Sequence, residues 1–379
     1  MKNKHLVKTI LIVSSDDNAF LTHRLPIANA AKEISSNCWI ICKDTGQAAK
    51  IRKCGFNVIT LKDHSAYPSL LSAILTTLEL KSVYRQKQPE IIHHSSVFIS
   101  FLGGLASLFA QEPKYINAIT GVGYLFSSDS MKARILRLAL TPIMRALWSR
   151  HRQKFLFQNA NDKELFVKKG FGTPSSAIIP GSGVDINKFT PAKKRKFRKN
   201  KIIIGCASRL IRDKGLEELI QAITSLPPHI NVELHIAGDI AKSNPSSFNY
   251  QEIEKWKNIL SVKFLGQVED IRKFWHNCDI AILASHREGL PKSLLEAAAC
   301  GLPLLGANVP GTRELIDDGV NGYLFEKGNS EDIARCILTL IQDKIFFDKA
   351  GLESRKKIEN GGFSNEAVAK AYKEFILSI

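Results

Sequence analysis

Short apolar runs recur along the chain, separated by stretches of helical length. In the first half they are Thr9–Ser15, Cys38–Cys42, Asn57–Leu61, Ile91–His94, Tyr115–Thr120, Lys154–Gln158 and Ala177–Gly181. Most are unbroken and rich in Ile and Val instead of alternating with polar residues, as expected for strands covered on both faces, and they predict a parallel sheet. Pro191–Lys201 is basic and almost without apolar residues. After it comes a second series: Ile202–Ser208, Val232–Gly238, Val262–Val268, Ile280–Ser285, Leu302–Ala307 and Gly322–Phe325. The pattern predicts an α/β protein of two Rossmann-like domains, residues 1–190 and 202–363, joined by a basic linker at 191–201. Such a pair is expected to face a central cleft, and ligands of open α/β sheets bind beyond the carboxyl ends of the strands. In the last stretch, residues 364–379, Val368, Ala371, Tyr372, Phe375 and Ile376 recur at helical spacing, which predicts an amphipathic helix packed on one of the domains.

Composition narrows the class. The chain has 379 residues, enough for two or three cores. The longest apolar stretch, Phe98–Ala110, is interrupted by Gly103, Gly104 and Ser107 and falls short of the roughly 18–20 residues of a bilayer span. Met1–Lys8 is basic, but Thr9–Val13 is followed at once by Ser14, Ser15, Asp16 and Asp17, so this segment reads as a first strand, not a signal peptide, and the protein is expected in the cytoplasm. The cysteines at 38, 42, 54, 206, 278, 300 and 336 are scattered and lack zinc-binding spacing, so they read as reduced and no metal site is expected. A net charge of +17 calls for an acidic partner: nucleic acid, anionic lipid or a phosphorylated small molecule. The absence of zinc-finger spacing, an RNP-like aromatic motif or a clear helix-turn-helix disfavours nucleic acid.

Two segments of the second domain carry chemistry. Arg209-Leu-Ile-Arg-Asp-Lys-Gly215 follows the strand Ile202–Ser208 and precedes a helix expected at Leu216–Ser225. Arg209 and Lys214 thus stand where a helix start already favours anions, and a diphosphate is the natural ligand; a solvated turn with two surface cations is the plainer alternative. Glu288-Gly-Leu-Pro-Lys-Ser-Leu-Leu-Glu296 follows the strand Ile280–Ser285, and Pro291 suits the first turn of a helix over Lys292–Cys300. Glu288 then lies in the loop and Glu296 one turn inside. Carboxylates do not bind phosphate but accept hydroxyl protons well, which suits a ribose or a sugar ring. The alternative is a loop Glu and a helix-start Glu favoured by the helix dipole.

Taken together these segments resemble glycosyltransferase family 4, in which a Glu, seven residues and a second Glu open a helix after an Arg and a Lys from the first strand–helix turn of the same domain. Ile179-Pro-Gly-Ser-Gly-Val-Asp-Ile-Asn-Lys-Phe189, Glu296-Ala-Ala-Ala-Cys-Gly-Leu-Pro303 and Gly319-Val-Asn-Gly-Tyr-Leu-Phe325 are similar to further family segments. In the first half, Asn18-Ala-Phe-Leu-Thr-His-Arg-Leu-Pro-Ile-Ala28, Gly121-Val-Gly-Tyr124 and Phe157-Gln-Asn159 resemble bacterial transferases that build O-antigen, capsule or protein-glycan units on undecaprenyl diphosphate, among them α-1,3-N-acetylgalactosaminyltransferases.

The resemblance implies a GT-B fold and a retaining, metal-independent glycosyltransferase without a cofactor. It would move an N-acetylhexosamine or hexose from a UDP-sugar to a polyprenyl-diphosphate-linked saccharide. Arg209 and Lys214 would hold the donor diphosphate with the helix N-terminus at Lys292, Ser293 and Leu294; Glu288 would meet the transferred sugar and Glu296 the ribose, and Gly289 and Leu290 would also bind the donor. Arg209, Lys214 and Glu288 are the expected catalytic residues. The first domain would bind the acceptor through the loop Ser14–Thr22, with Asn18, and through His23 and Arg24, placed to open the next helix, although His23 equally suits a backbone contact. Where many relatives carry a cleft His, this chain reads Ile119-Thr-Gly-Val-Gly123, so Thr120 or the Gly121 N–H would take its place; His93 and His94, at a strand end, are other candidates.

Read at 100° per residue, Lys132–Lys154 places Arg134, Arg137, Thr141, Arg145, Trp148 and Arg152 on one stripe and Ile135, Leu136, Ala139, Leu140, Ile143, Ala146 and Leu147 opposite, with Pro142 expected to kink or split the helix. A basic, Trp-bearing face suits peripheral attachment to the anionic cytoplasmic surface of the inner membrane, while the plain alternative is the solvated face of a core helix. Competing functions are a catalytically silent nucleotide-sugar-binding protein and a UDP-sugar epimerase on the same scaffold, the latter marked by turnover without an acceptor.

Overall fold

A computed structural model describes residues 7–62, 69–108, 113–121, 125–126, 130–149, 153–171, 176–192, 201–241, 244 and 246–379. Val122–Tyr124, Arg152 and Lys193–Asn200, all singled out above, lie outside the described residues. The chain forms two compact units, one built from residues up to Gly183 together with Glu366–Ile379, the other from Val184–Asn365.

The first unit runs β1 (Val7–Asp16), α1 (Asp17–His23), α2 (Leu25–Ile34), β2 (Ser35–Lys43), α3 (Ala48–Lys53), β3 (Asn57–Leu61), α4 (Leu70–Lys87), β4 (Ile91–Ser95), α5 (Val97–Ser107), β5 (Lys114–Ile119), α6 (Met131–Trp148), β6 (Gln153–Phe157), α7 (Ala160–Lys168) and β7 (Ala177–Ile178). Its strands form one parallel sheet in the order β3-β2-β1-β4-β5-β6-β7. Successive β1 side chains go to opposite faces, Ile10 and Ile12 to one core and Leu11 and Val13 to another, which is why the run is apolar without alternation.

The second unit runs β8 (Ile202–Ala207), α8 (Leu216–Thr224), β9 (Val232–Ala237), α9 (Tyr250–Lys257), β10 (Val262–Gly266), α10 (Ile271–Asn277), β11 (Ile280–Leu283), α11 (Lys292–Ala299), β12 (Leu304–Ala307), α12 (Pro310–Arg313), β13 (Gly322–Phe325), α13 (Ser330–Gln342) and α14 (Lys344–Asn360). Its parallel sheet has the order β10-β9-β8-β11-β12-β13. The last helix, α15 (Asn365–Ser378), returns to the first unit and packs Val368, Tyr372 and Ile376 into the core over β1 and β2. No helix among the described residues is long and apolar enough to cross a membrane.

Both histidines at the end of β4 are interior. His93 bonds the Tyr372 hydroxyl through Nδ1 at 2.8 Å, and His94 meets the Tyr84 hydroxyl at 2.8 Å and Asn117 Oδ1 at 2.9 Å. A Cβ on Gly103 would sit 2.1 Å from His94 Nε2, so a glycine is what lets α5 close over that ring. Neither ring is a cleft ligand, because both are fully buried. Burial pushes the His94 pKa down to about 4 and holds that of His93 well below the usual histidine range. The unfolded chain therefore takes up protons that the folded one refuses. The resulting stability is complete above about pH 6.5 and is lost as pH falls towards 4, by about 3 kcal/mol from His94 alone. Urea midpoints measured near pH 7 and about pH 5 should show the lower value at the acid end, and His94→Gln should flatten the difference.

Helix α6 corrects the expected lipid-facing stripe. Trp148 is 3% exposed and lies among Phe155, Phe166 and Phe171, while Ile135, Leu136 and Ile143, expected opposite the basic stripe, are exposed. The helix is apolar on two faces, and the aromatic cluster of β6 and α7 takes the side that holds Ala133, Met144, Leu147 and Trp148. Pro142 does not split it: α6 is one helix of 18 residues.

Candidate functional site

The candidate donor residues gather in the second unit where its strand order reverses, between β8 and β11, the place at which open α/β sheets bind ligands. The loops after β8 and β9 approach so closely that a Cβ on Gly238, held at φ +144, would stand 1.8 Å from the Ser208 carbonyl oxygen. Leu210 N–H donates to Asp239 O at 3.0 Å, and the Arg209 side chain between these contacts is exposed. A short 3-10 turn, Arg212–Lys214, follows and ends at Gly215 with φ +64. A Cβ at Gly215 would lie 2.2 Å from Ala284 O, and His286 N–H donates to Asp213 O at 2.9 Å. The turn after β8 is thereby pressed on the loop after β11.

That docking brings Lys214 Nζ to 2.5 Å from Glu288 Oε1, with the two side chains 17% and 13% exposed. The neighbouring cation is committed elsewhere: Arg212 pairs with Glu217 at 2.8 Å and with Glu252, and lies 4.8 Å from the centre of the Phe248 ring. At this strand end Arg209 is exposed and Lys214 is engaged only across the turn with Glu288 among the described contacts. Glu288 is held by its own backbone, whose carbonyl accepts from Gly311 N–H at 3.2 Å; a Cβ on Gly311 would meet Gly289 O at 2.4 Å, so α12 needs that glycine to support the loop.

Pro291 caps α11 without a side-chain hydrogen bond. Lys292 and Ser293 are half-buried in its first turn, whereas the side chains of Leu290 and Leu294 belong to the core and leave only their main chain for a ligand. Glu296 has its carboxylate 3.9 Å from Lys292 Nζ and 12% of its side chain exposed. Burial pushes its pKa up to about 7, with Lys292, the Trp275 indole and Lys188 pulling the other way. Burial also lowers the pKa of Lys292. Two supporting residues were missed by the sequence reading. Lys188 acts on both Lys292 and Glu296, and Arg355 on α14 donates to Phe189 O and Ala299 O, tying the Lys188 segment to the end of α11. Lys188 stands inside a family-like segment; for Arg355 only its tertiary partners reveal a role.

The acceptor candidates in the first unit need two corrections. The stretch read as the loop Ser14–Thr22 is mostly helix: Asp16 caps α1 by accepting from Ala19 N–H at 2.6 Å, and Asn18 is exposed on its first turn. His23 therefore closes α1, where Nδ1 lies 2.8 Å from Ser182 Oγ. Arg24, the hinge to α2, is 5% exposed and donates to Gly181 O at 2.8 Å, so its guanidinium is structural and does not face an acceptor phosphate. Burial lowers its pKa to about 10. Thr120 and Gly121, the latter at φ +125, follow β5 and are half-buried. Between β4 and α5, at this sheet's own point of strand-order reversal, Ser96 is held at φ +141 and caps α5 through Ile99 N–H at 3.2 Å. A serine in that conformation costs on the order of 1–3 kcal/mol, and nothing in its sequence context signals it. No group of three His, Cys, Asp or Glu side chains able to hold a metal ion occurs among the described residues.

Comparison with known proteins places the chain in a family. Residues 187–363 match the family described as Glycosyl transferases group 1, and residues 9–159 match Glycosyl transferase 4-like. The O-antigen biosynthesis glycosyltransferase WbnH of Escherichia coli is 35% identical over 305 residues, which cover 80% of this chain and 81% of WbnH. The N,N'-diacetylbacillosaminyl-diphospho-undecaprenol alpha-1,3-N-acetylgalactosaminyltransferase of Campylobacter jejuni is 26% identical over 331 residues, 85% of this chain and 86% of that one. Among solved structures, Anabaena HepE in complex with UDP-glucose superposes with a TM-score of 0.78 at 21% identity, over 98% of this chain and all of HepE. Two parallel-sheet units, the site at the β8–β11 reversal and these matches lead to one conclusion: the chain belongs to the group 1 glycosyltransferases and is an enzyme of GT-B fold.

Proposed function

We propose that this enzyme moves an N-acetylhexosamine or hexose from a UDP-sugar to a saccharide carried on a polyprenyl diphosphate, with retention of configuration and without a divalent metal, at the cytoplasmic face of the inner membrane. The observation that carries the reading is the Lys214–Glu288 ion pair across the strand-order reversal, with Glu296 buried on the adjoining helix. A diphosphate would draw Lys214 away from Glu288 and take up Arg209 and the open N–H groups at the start of α11. Glu288 would then accept from a hydroxyl of the sugar, and Glu296 from the ribose. As the glycosidic C–O bond breaks, its electron pair passes to the UDP phosphate oxygen, where Arg209 and Lys214 stabilise the growing charge. The acceptor oxygen bonds the anomeric carbon on the face the phosphate leaves, and its proton goes to that phosphate. Support for a lipid-borne acceptor comes from the diphospho-undecaprenol in the name of the Campylobacter relative. Support for UDP comes from the UDP-glucose bound in HepE. Asn18, Thr120 and the Gly121 N–H are the acceptor contacts of this reading.

The test is incubation with UDP- and GDP-sugars and short-chain lipid-diphosphate saccharides, with EDTA, read by mass. Transfer from a UDP-sugar that survives EDTA is expected. Transfer from GDP-sugars alone, or its loss with EDTA, overturns the reading, and turnover of a UDP-sugar without acceptor identifies an epimerase.

Glu296 supplies a pH signature. Only its ionised form accepts from both ribose hydroxyls, and its pKa stands at about 7. Donor affinity should therefore fall below that pH, by up to about tenfold per pH unit. Glu296→Gln should bind donor weakly at every pH; a wild-type KM that does not change across this range excludes the contact.

A further inference from the structure

We infer that Trp275 is a positioning residue for Glu296, its buried indole N–H serving as the donor that steadies the ionised carboxylate when a nucleotide's ribose binds. The inference rests on the ribose contact proposed above for its ligand; its geometry lies in the packing of α10 against α11.

Both ends of α10 are tied down. Asp270 caps it by accepting from Arg272 N–H at 3.0 Å and from Lys273 N–H, and His276 Nε2 lies 2.8 Å from Thr190 O. Trp275 between them is fully buried. Its ring enters the same core cluster as Leu294, Leu295 and Ala299 of α11 and stands edge-on to Phe274, with 4.8 Å between ring centres. The strand β8 makes room for it: a Cβ on Gly205 would lie 3.1 Å from Trp275 Cζ3 and 2.5 Å from Cys278 Sγ. An all-carbon side chain would fill that space without a polar atom. The indole instead brings an N–H that is costly to bury without a partner. Trp275 Nε1 is buried, yet it makes no hydrogen bond of regular geometry among the described residues. A buried donor left in that state calls for an acceptor that strengthens at some step of function.

Glu296 is that acceptor. The indole favours its ionised form, against the burial that pushes the carboxyl pKa up to about 7. The charged groups that face this carboxylate are Lys292, 3.9 Å away on the same helix, and Lys188 from the segment before β8. Lys292 is a weakened partner, because burial and the charge of Lys188 lower its own pKa. A neutral donor adds nothing to the repulsion between these cations and, fixed in the core, keeps its direction whether Glu296 carries a proton or not. A carboxylate accepts from an N–H more strongly than a neutral acid does, so the contact tightens in the form that two ribose hydroxyls require.

Trp275→Phe keeps an aromatic ring in the core and removes the N–H. In free protein labelled with carboxyl-13C glutamate, the Glu296 resonance, assigned by its loss in Glu296→Gln, should titrate about one pH unit higher in this variant than in the wild type. UDP affinity by calorimetry should be roughly fivefold weaker at about pH 7 and within about twofold of wild type at about pH 9, where Glu296 is ionised in both proteins. A side chain that only packs would weaken UDP equally at both. One measurement leaves the core untouched: of the four tryptophan indole N–H resonances of the wild type, one should move with pH around a midpoint near 7 and stay fixed in Glu296→Gln. An unmoved Glu296 midpoint in Trp275→Phe, equal weakening of UDP at both pH values, or no indole that titrates overturns the inference. A midpoint that moves while wild-type UDP affinity is flat with pH leaves Trp275 with Glu296 and removes the ribose contact instead.

Discussion

Replacing Lys214 with alanine is expected to lower sugar transfer by roughly 10²–10³-fold, the loss typical of removing one donor that stabilises charge formed in the transition state. The ammonium is held where it can act by two contacts of the preceding turn: the close approach of Gly215 to Ala284 O and the His286 N–H bond to Asp213 O. Neither involves the Lys214 side chain, so the alanine variant keeps the same turn. Its melting temperature should barely move, since a partly exposed ion pair contributes at most about 1 kcal/mol. Because negative charge on the diphosphate grows as the glycosidic bond breaks, kcat should fall, not only the affinity for donor. Lys214→Arg should recover only part of the rate, because a planar fork does not reproduce a compact ammonium beside Glu288. A wild-type rate in the alanine variant, measured at saturating acceptor, would remove Lys214 from the site.

That Lys214 and Glu288 stand out in the sequence follows from where strands end. Each of the apolar runs lies in one of the two sheets, and a residue just after such a run sits at the carboxyl edge of its sheet. Arg209, Lys214, Glu288 and Glu296 are local consequences of that rule. Boundaries were less legible. β7 stops at Ile178, short of Gly181, because Pro180 has no N–H for a ladder and Gly181 is pressed against Gln158 and Arg24. The side of α6 that faces inward is not legible locally, because both of its faces are apolar and the choice is made by Phe155, Phe166 and Phe171, which come later in the chain. Arg24 looked like an anion ligand at a helix start, yet α1 and the Gly181 carbonyl turn it into an interior tie. His93, His94 and Arg355 have their roles decided by partners up to 279 residues away, which no local pattern reports.

The two halves of the Lys214–Glu288 pair should separate in a way that a merely structural ion pair would not. Glu288→Gln is expected to transfer sugar roughly 10²-fold more slowly, yet to hold UDP more tightly than the wild type. In the free enzyme the carboxylate already occupies the ammonium, so UDP must displace one anion to place another. UDP brings no sugar hydroxyl to compensate Glu288, whereas a UDP-sugar does, and the wild type should therefore favour the intact donor over UDP. Glutamine removes the competing charge while keeping the side-chain shape. The gain should be roughly fivefold in affinity for UDP, the equivalent of about 1 kcal/mol for a partly exposed pair. Lys214→Ala should weaken UDP binding, so the two partners of one contact shift the same constant in opposite directions. Titration calorimetry with UDP on the three proteins reads this directly. Unchanged UDP affinity in both variants would make the pair a brace between two loops; weaker binding in both would mean that Glu288 supports the nucleotide and does not compete with it.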